Sequence, residues 1–188
     1  MKNNTPYTPE QQKFLLDLVK NTIRNKLHGV SPTKNKDKVP DFLSGTQSCF
    51  VTLHTKDGNL RGCIGNIMAF EPLYDNIVHN AFNSAFRDPR FAPVSSEEEF
   101  DTLRVEISIL TPMKTVNSYK EIKIGTHGVT FKLGRYSSVF LPQVAPEQGW
   151  TLEETLTHLS MKAGLGPDAW KHIDAKFEVF EALIISEE

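Results

Sequence analysis

The sequence predicts an α+β fold, an antiparallel β-sheet flanked by α-helices. Three observations carry this reading. Two β-rich runs flank Asp57-Gly58, a strong short-range hairpin signal. Residues 103–110 alternate apolar and polar side chains, as a strand with one wet face does. Helical stretches fall between strands without a regular βαβα rhythm, so a parallel doubly wound sheet is not expected.

The elements follow in order. Thr8, Pro9 and Gln11 make a capping box with proline at the first helical position. Phe14, Leu15, Leu18, Val19, Ile23 and Leu27 then recur at helical spacing, and Gly29 stops the helix. Pro32, Pro40, Gly45 and three lysines mark residues 29–47 as a long connection, with a short helical turn at Asp41-Phe42-Leu43. Residues 48–55 and 60–67 form the hairpin. With a two-residue turn, Thr52 faces Cys63 and His54 faces Arg61; a three-residue loop with a bulge shifts this pairing by one. Pro72 opens a helix that Asp88-Pro89 ends. Ser95 and Glu98 suggest a cap for a short helix. The alternating strand 103–110 follows, then strands at 129–133 and 138–141. Thr151 and Glu154 cap another helix, which ends at Gly164. A helical turn at 167–172 precedes one last strand over 176–185.

Composition bounds the function classes. The chain has 188 residues, 39% of them hydrophobic, enough for one cored domain and at most two small lobes. A net charge of −2 argues against a general nucleic-acid binder and against a polybasic membrane-surface protein. No apolar run approaches the ~20 residues of a membrane span, and the start lacks the apolar stretch of a signal peptide. Two cysteines cannot build a disulfide scaffold or a four-cysteine zinc site, so a cytoplasmic location is expected. The six histidines show no paired ligand spacing, and neither a phosphate loop nor a dinucleotide fingerprint is present. No metal and no cofactor are therefore expected.

The most unusual local sequence is Leu60-Arg61-Gly62-Cys63-Ile64-Gly65. Glycine inside a strand marks a bulge or a close backbone approach. Gly62 and Gly65 leave the Cys63 thiol uncrowded. By strand alternation Arg61 points with it, and a nearby cation favours a thiolate. His54 on the facing strand makes an imidazole–thiol pair the candidate catalytic group, Cys63 with His54. A buried core thiol is the plainer role for the same cysteine. Cys49 falls on the opposite, apolar face, so a Cys49–Cys63 disulfide is not expected. The candidate binding residues are Arg61, Gly62 and Gly65 of this motif, then Asp88 and Arg90 of the stiff Asp88-Pro89-Arg90 helix end. Arg104 and Glu106 on the polar face of the alternating strand join them, as do His127, Gln143 and Glu147 in later turns.

These motifs resemble a known family. Leu60–Gly65, Asp88-Pro89-Arg90-Phe91, Val105–Leu110, Thr126-His127-Gly128-Val129, Leu141-Pro142-Gln143-Val144-Ala145 and Lys162-Ala163-Gly164-Leu165 stand in the order of the AMMECR domain family. That family is named after a chromosomal region linked to Alport syndrome and elliptocytosis. The resemblance covers about residues 10–185 and implies a single AMMECR-like domain over 1–188, a stand-alone prokaryotic-type member. It implies two lobes with a cleft between them, lined by the Arg-Gly-Cys-Ile-Gly stretch, and brings no established reaction with it. Association with Memo-like and radical SAM proteins suggests a modification or redox pathway. The expectation is a thiol-dependent enzyme, with a binding module for a small molecule or protein as its alternative. Relatives commonly carry a cysteine before the Lys-Ala-Gly-Leu stretch. Here Ser160 and Met161 occupy that region, which leaves Cys63 without a second thiol there.

Overall fold

A computed structural model describes residues 6–30 and 39–187. The chain divides into two compact units, Met1–Leu110 with Leu183–Glu188, and Thr111–Ala182. Each carries its own four-stranded sheet and its own core, and the fold class is α+β.

In the first unit, α1 (Pro9–Leu27) starts at the Thr8–Gln11 capping box and buries Leu15, Val19 and Ile23. A 3-10 turn at Asp41–Leu43 follows, as expected; residues 31–38 of the long connection lie outside the described residues. The strands are β1 (Cys49–Thr55), β2 (Leu60–Gly65) and β3 (Leu103–Leu110). The sheet runs β2-β1-β3-β8, where β8 is Ala182–Ser186 near the C-terminus. Helix α2 (Leu73–Phe86) and a one-turn helix α3 (Glu97–Phe100) complete the unit. Cys49, Val51 and Leu53 of β1 and Val105, Ile107 and Ile109 of β3 turn one face of the sheet into a core shared with α1 and α2. Alternation sends Thr52, His54, Glu106 and Ser108 to the other face.

The hairpin departs from the predicted register at its tip. Gly58 N–H donates to Thr55 O at 2.9 Å, and Thr55 N–H to Asn59 O at 2.8 Å. Gly58 sits at φ 83°, so the link is a turn closed by a left-handed glycine rather than a two-residue one. A second irregularity between Leu53 and His54 restores the pairing, leaving Arg61 as the extra residue. Thr52 still faces Cys63, but His54 faces Leu60 instead of Arg61.

The second unit orders its strands β4-β7-β5-β6. They are β4 (Lys114–Val116), β5 (Gly128–Leu133), β6 (Tyr136–Phe140) and β7 (Lys176–Phe180). Helices α4 (Val144–Gln148) and α5 (Leu152–Lys162) belong to it, and α5 starts at the predicted Thr151–Glu154 box. Phe131, Leu156, Leu159, Trp170 and Phe177 form its core.

Two further expectations are corrected, and one strand went unread. The single last strand is two, β7 and β8, which belong to different sheets and break at Glu181. There Thr111 N–H donates to Glu181 O at 2.9 Å, and Glu181 N–H donates to the Thr111 hydroxyl at 2.9 Å. The cap of α3 lies one residue later than read, because Ser96 rather than Ser95 accepts a helix N–H, that of Glu99. β4 is three residues long, too short for alternation to reveal.

Candidate functional site: a thiol on a clamped edge strand

Close packing on both faces of β2 explains its glycines. A Cβ added at Gly62 would stand 2.2 Å from the Ser84 carbonyl oxygen of α2. Helix α2 presents Asn76, Asn80 and Ser84 at i, i+4 and i+8, all buried, toward the sheet. Gly62 thus lets helix backbone approach strand backbone. Three residues on, Gly65 turns to the opposite face, where its Cβ would meet the Phe50 ring at 2.2 Å. Both glycines are therefore packing residues, and the two sites they occupy leave Cys63 between fixed points.

β2 is an edge strand, and a side-chain pair occupies its open side. The Cys63 N–H donates to Asp88 Oδ2 at 2.8 Å, and Arg90 Nη2 donates to Cys63 O at 3.0 Å. The Arg90 guanidinium also grips Asp88 through Nε at 2.9 Å and Nη2 at 2.7 Å, and the Arg90 N–H adds a third bond at 3.1 Å. Donor and acceptor stand where a neighbouring strand would place them, so the pair stops β2 from recruiting another edge. The Asp88 side chain is only 1% exposed, while that of Arg90 is 53% exposed. The Arg90 hydrogen bonds, helped by the Cys63 and Arg90 amides, outweigh burial and hold Asp88 far below the usual carboxylate range. Arg90 is correspondingly raised, first by Asp88 and further by Cys63.

The Cys63 thiol lies on the face away from the helices and is half-buried. The Thr52 hydroxyl donates to its sulfur at 3.3 Å. Thr52 pairs with Cys63 on one side and with Glu106 on the other, so the three form one row across β2, β1 and β3. Leu60, His54 and Arg104 form the row on one side of it, and Gly65, Phe50 and Ser108 the row on the other. Sequence reasoning placed His54 and Arg61 at the thiol, and neither is hydrogen-bonded to it. Among the described residues His54 makes no side-chain hydrogen bond. Arg61, thrown out of the ladder by the bulge, donates from Nη2 to Glu99 Oε1 at 2.6 Å. Burial raises Glu99, but bonds from Ser95 and Arg61 outweigh it and leave its carboxyl lowered. The cation beside Cys63 is Arg90. Arg104 and Glu106 share the face of the buried Thr52 and Ser108 and make no ion pair among the described residues.

Cys49 has a different setting. Its thiol donates to Asn76 Oδ1 at 3.2 Å, and its carbonyl accepts from Asn80 at 3.1 Å. Asn76 also donates to Asn66 at 2.7 Å and to Glu71 at 2.9 Å. Burial pushes the Cys49 thiol up to about 12. The sequence signal for this network was the buried i, i+4 asparagines on an otherwise apolar helix face. Both cysteines are free, on opposite faces of the sheet.

His127, Gln143 and Glu147 belong to the second unit. His127 Nδ1 accepts the Lys123 N–H at 3.1 Å, which settles a turn before β5. Gln143 precedes α4 without a capping side-chain bond, and Glu147 is exposed on that helix. Among the described residues no group of three or more His, Cys, Asp or Glu side chains could hold a metal ion. No helix of the described residues is long and apolar enough to cross a membrane.

Fold and site together define an α+β protein whose free thiol stands on an edge strand clamped by an Asp–Arg pair. The AMMECR1 family profile matches residues 16–185, and the chain belongs to that family. It is 41% identical to a protein of Methanocaldococcus jannaschii over 187 residues, 96% of this chain and 92% of that one. A protein of Aquifex aeolicus is 39% identical over 160 residues, covering 80% of this chain and 82% of its own. The crystal structure of an uncharacterized protein from Pyrococcus horikoshii superposes with a TM-score of 0.82 at 37% identity, covering 96% of this chain and 93% of that one.

Proposed function

We propose that the protein is a thiol-dependent enzyme whose nucleophile is Cys63. One observation carries the reading: a half-buried, disulfide-free sulfur accepts the Thr52 hydroxyl while an Asp88–Arg90 pair fixes its backbone from the other side. The Thr52 hydroxyl and the clamped backbone hold the sulfur in one position, as attack on a bound substrate requires. Glu106 would exchange a proton with a bound substrate, a role supported by its pairing with Thr52 in the same row. Two free thiols suit a reducing cytoplasm. A role beside Memo-like or radical SAM partners belongs to the same proposal, as the pathway in which such a thiol would act.

The alternative reading, a binding module for a small molecule or protein, is favoured by one feature. His54 makes no hydrogen bond to Cys63, so the thiol lacks a base in contact. Incubation with p-nitrophenyl acetate separates the two. An enzyme thiol gives a burst of nitrophenol matching one acetyl group on Cys63 by mass spectrometry, absent in Cys63→Ser. A wild type that releases nitrophenol no faster than Cys63→Ser leaves the binding module.

A further inference from the structure

The second unit has an open surface hollow of about 720 Å³ at the end of the β5–β6 hairpin; its wall combines the exposed Lys132, Arg135, Tyr136, Asp174 and Lys176 with the half-buried Leu133 and Leu165. That volume lies within the range of small-molecule sites, ~300–1,000 Å³. Its wall carries three cations and one carboxylate. Lys132 and Lys176 are directly paired across β5 and β7, an arrangement that like charges disfavour. Lys132 is neutralised by Glu178 at 2.6 Å. Lys176 has no carboxylate partner among the described residues. Neither has Arg135, whose guanidinium lies 5.2 Å from the centre of the Tyr136 ring and donates to its hydroxyl at 3.3 Å. Gly134 at φ 57° makes the tight turn that puts Arg135 and Tyr136 side by side. Asp174 is the one carboxylate of the wall. Leu133, Leu165 and the Tyr136 ring supply an apolar surface beside two unpaired cations.

We propose that this open hollow binds a small organic anion in which a phosphate is joined to a flat apolar group, as in a nucleoside monophosphate. The phosphate would meet Arg135 and Lys176, the two cations without a carboxylate. Arginine offers a forked donor set suited to phosphate oxygens, and lysine a point charge. The flat group would cover Leu133 and Leu165 against Tyr136. Asp174 then serves as acceptor for a hydroxyl or amino group of the ligand. This inference is independent of the thiol reading, since it uses no residue of the first unit.

Titration calorimetry on the full chain tests it, with adenosine 5′-monophosphate, adenosine and inorganic phosphate as separate probes. The monophosphate should bind more tightly than either part alone. Arg135→Ala and Lys176→Ala should each weaken it by about tenfold, the loss of one charge-assisted contact. Tyr136→Ala should weaken the monophosphate and adenosine but leave inorganic phosphate unchanged. Cys63→Ser should bind as the wild type does. No heat from the monophosphate, or equal binding to wild type and the Arg135→Ala/Lys176→Ala double variant, overturns the proposal. Binding of inorganic phosphate as tight as that of the monophosphate overturns the apolar half of the site.

Discussion

Asp88 and Cys63 stand 25 positions apart, yet the Asp88 carboxylate accepts the Cys63 amide at 2.8 Å and is only 1% exposed itself. Arg90 closes the same clamp on the Cys63 carbonyl. Asp88→Ala leaves that amide and the Arg90 guanidinium without their acceptor. The expected cost is about 2–3 kcal/mol, read as a lower urea or thermal midpoint. A midpoint within error of the wild type would reduce the motif to a helix stop.

Acid should act through the same carboxylate. Asp88 in the folded protein is more acidic than the unfolded side chain, which titrates near ~3.9. Below that value the unfolded chain takes up a proton that the folded chain refuses. The stabilisation is complete above about pH 4 and is lost as pH falls toward the folded value. Asp88→Asn should therefore lower the urea midpoint at neutral pH and flatten its decline toward about pH 3. An unchanged acid slope in the variant would place the sensitivity in other carboxylates.

Gly62→Ala should be more damaging than Gly65→Ala. At Gly62 the new Cβ meets helix backbone, which cannot step aside without moving α2. At Gly65 it meets first the Phe50 ring, a side chain with rotamers to use, although the Cys49 carbonyl lies close behind at 2.6 Å. A loss of about 1–3 kcal/mol is expected at Gly62, measured by chemical denaturation. Equal losses at both positions would show that the ring is held as firmly as the helix.

The fold was legible where local chemistry decides it. The Thr8 and Thr151 capping boxes and the alternation of 103–110 fixed their elements because each signal lies within a few residues. The pairing of Thr52 with Cys63 was read correctly, although the turn behind it was not. Two irregularities, at Gly58 and Arg61, cancel along the strand, and only the residues between them change partners. That is why His54 and Arg61 were misplaced while Cys63 was not. Arg61 left the thiol's row for the same reason: a bulged residue no longer obeys alternation. The Glu181 break was hidden because a change of sheet leaves the β-rich composition of 176–185 intact. Glu99 went unnoticed as a partner because the contact spans 38 positions and rests on tertiary packing alone.

The two thiols should differ sharply toward alkylating agents. Cys49 is fully buried and pushed up to about 12, so it is protected until the first unit opens. Iodoacetamide on the native protein should label Cys63 alone, and in denaturant both cysteines. Peptide mass spectrometry reads the two sites separately. Native labelling of Cys49 at the rate of Cys63 would contradict the buried Asn76–Asn80 network around it.

The most direct test of the central claim is the second-order rate of iodoacetamide with Cys63 in wild type, Arg90→Ala and Arg61→Ala, each confirmed folded by its melting curve. A thiol served by the Asp88–Arg90 clamp should react severalfold more slowly in Arg90→Ala and unchanged in Arg61→Ala, whose guanidinium belongs to Glu99. The same rate in Arg90→Ala as in wild type, or slowing confined to Arg61→Ala, would contradict the account.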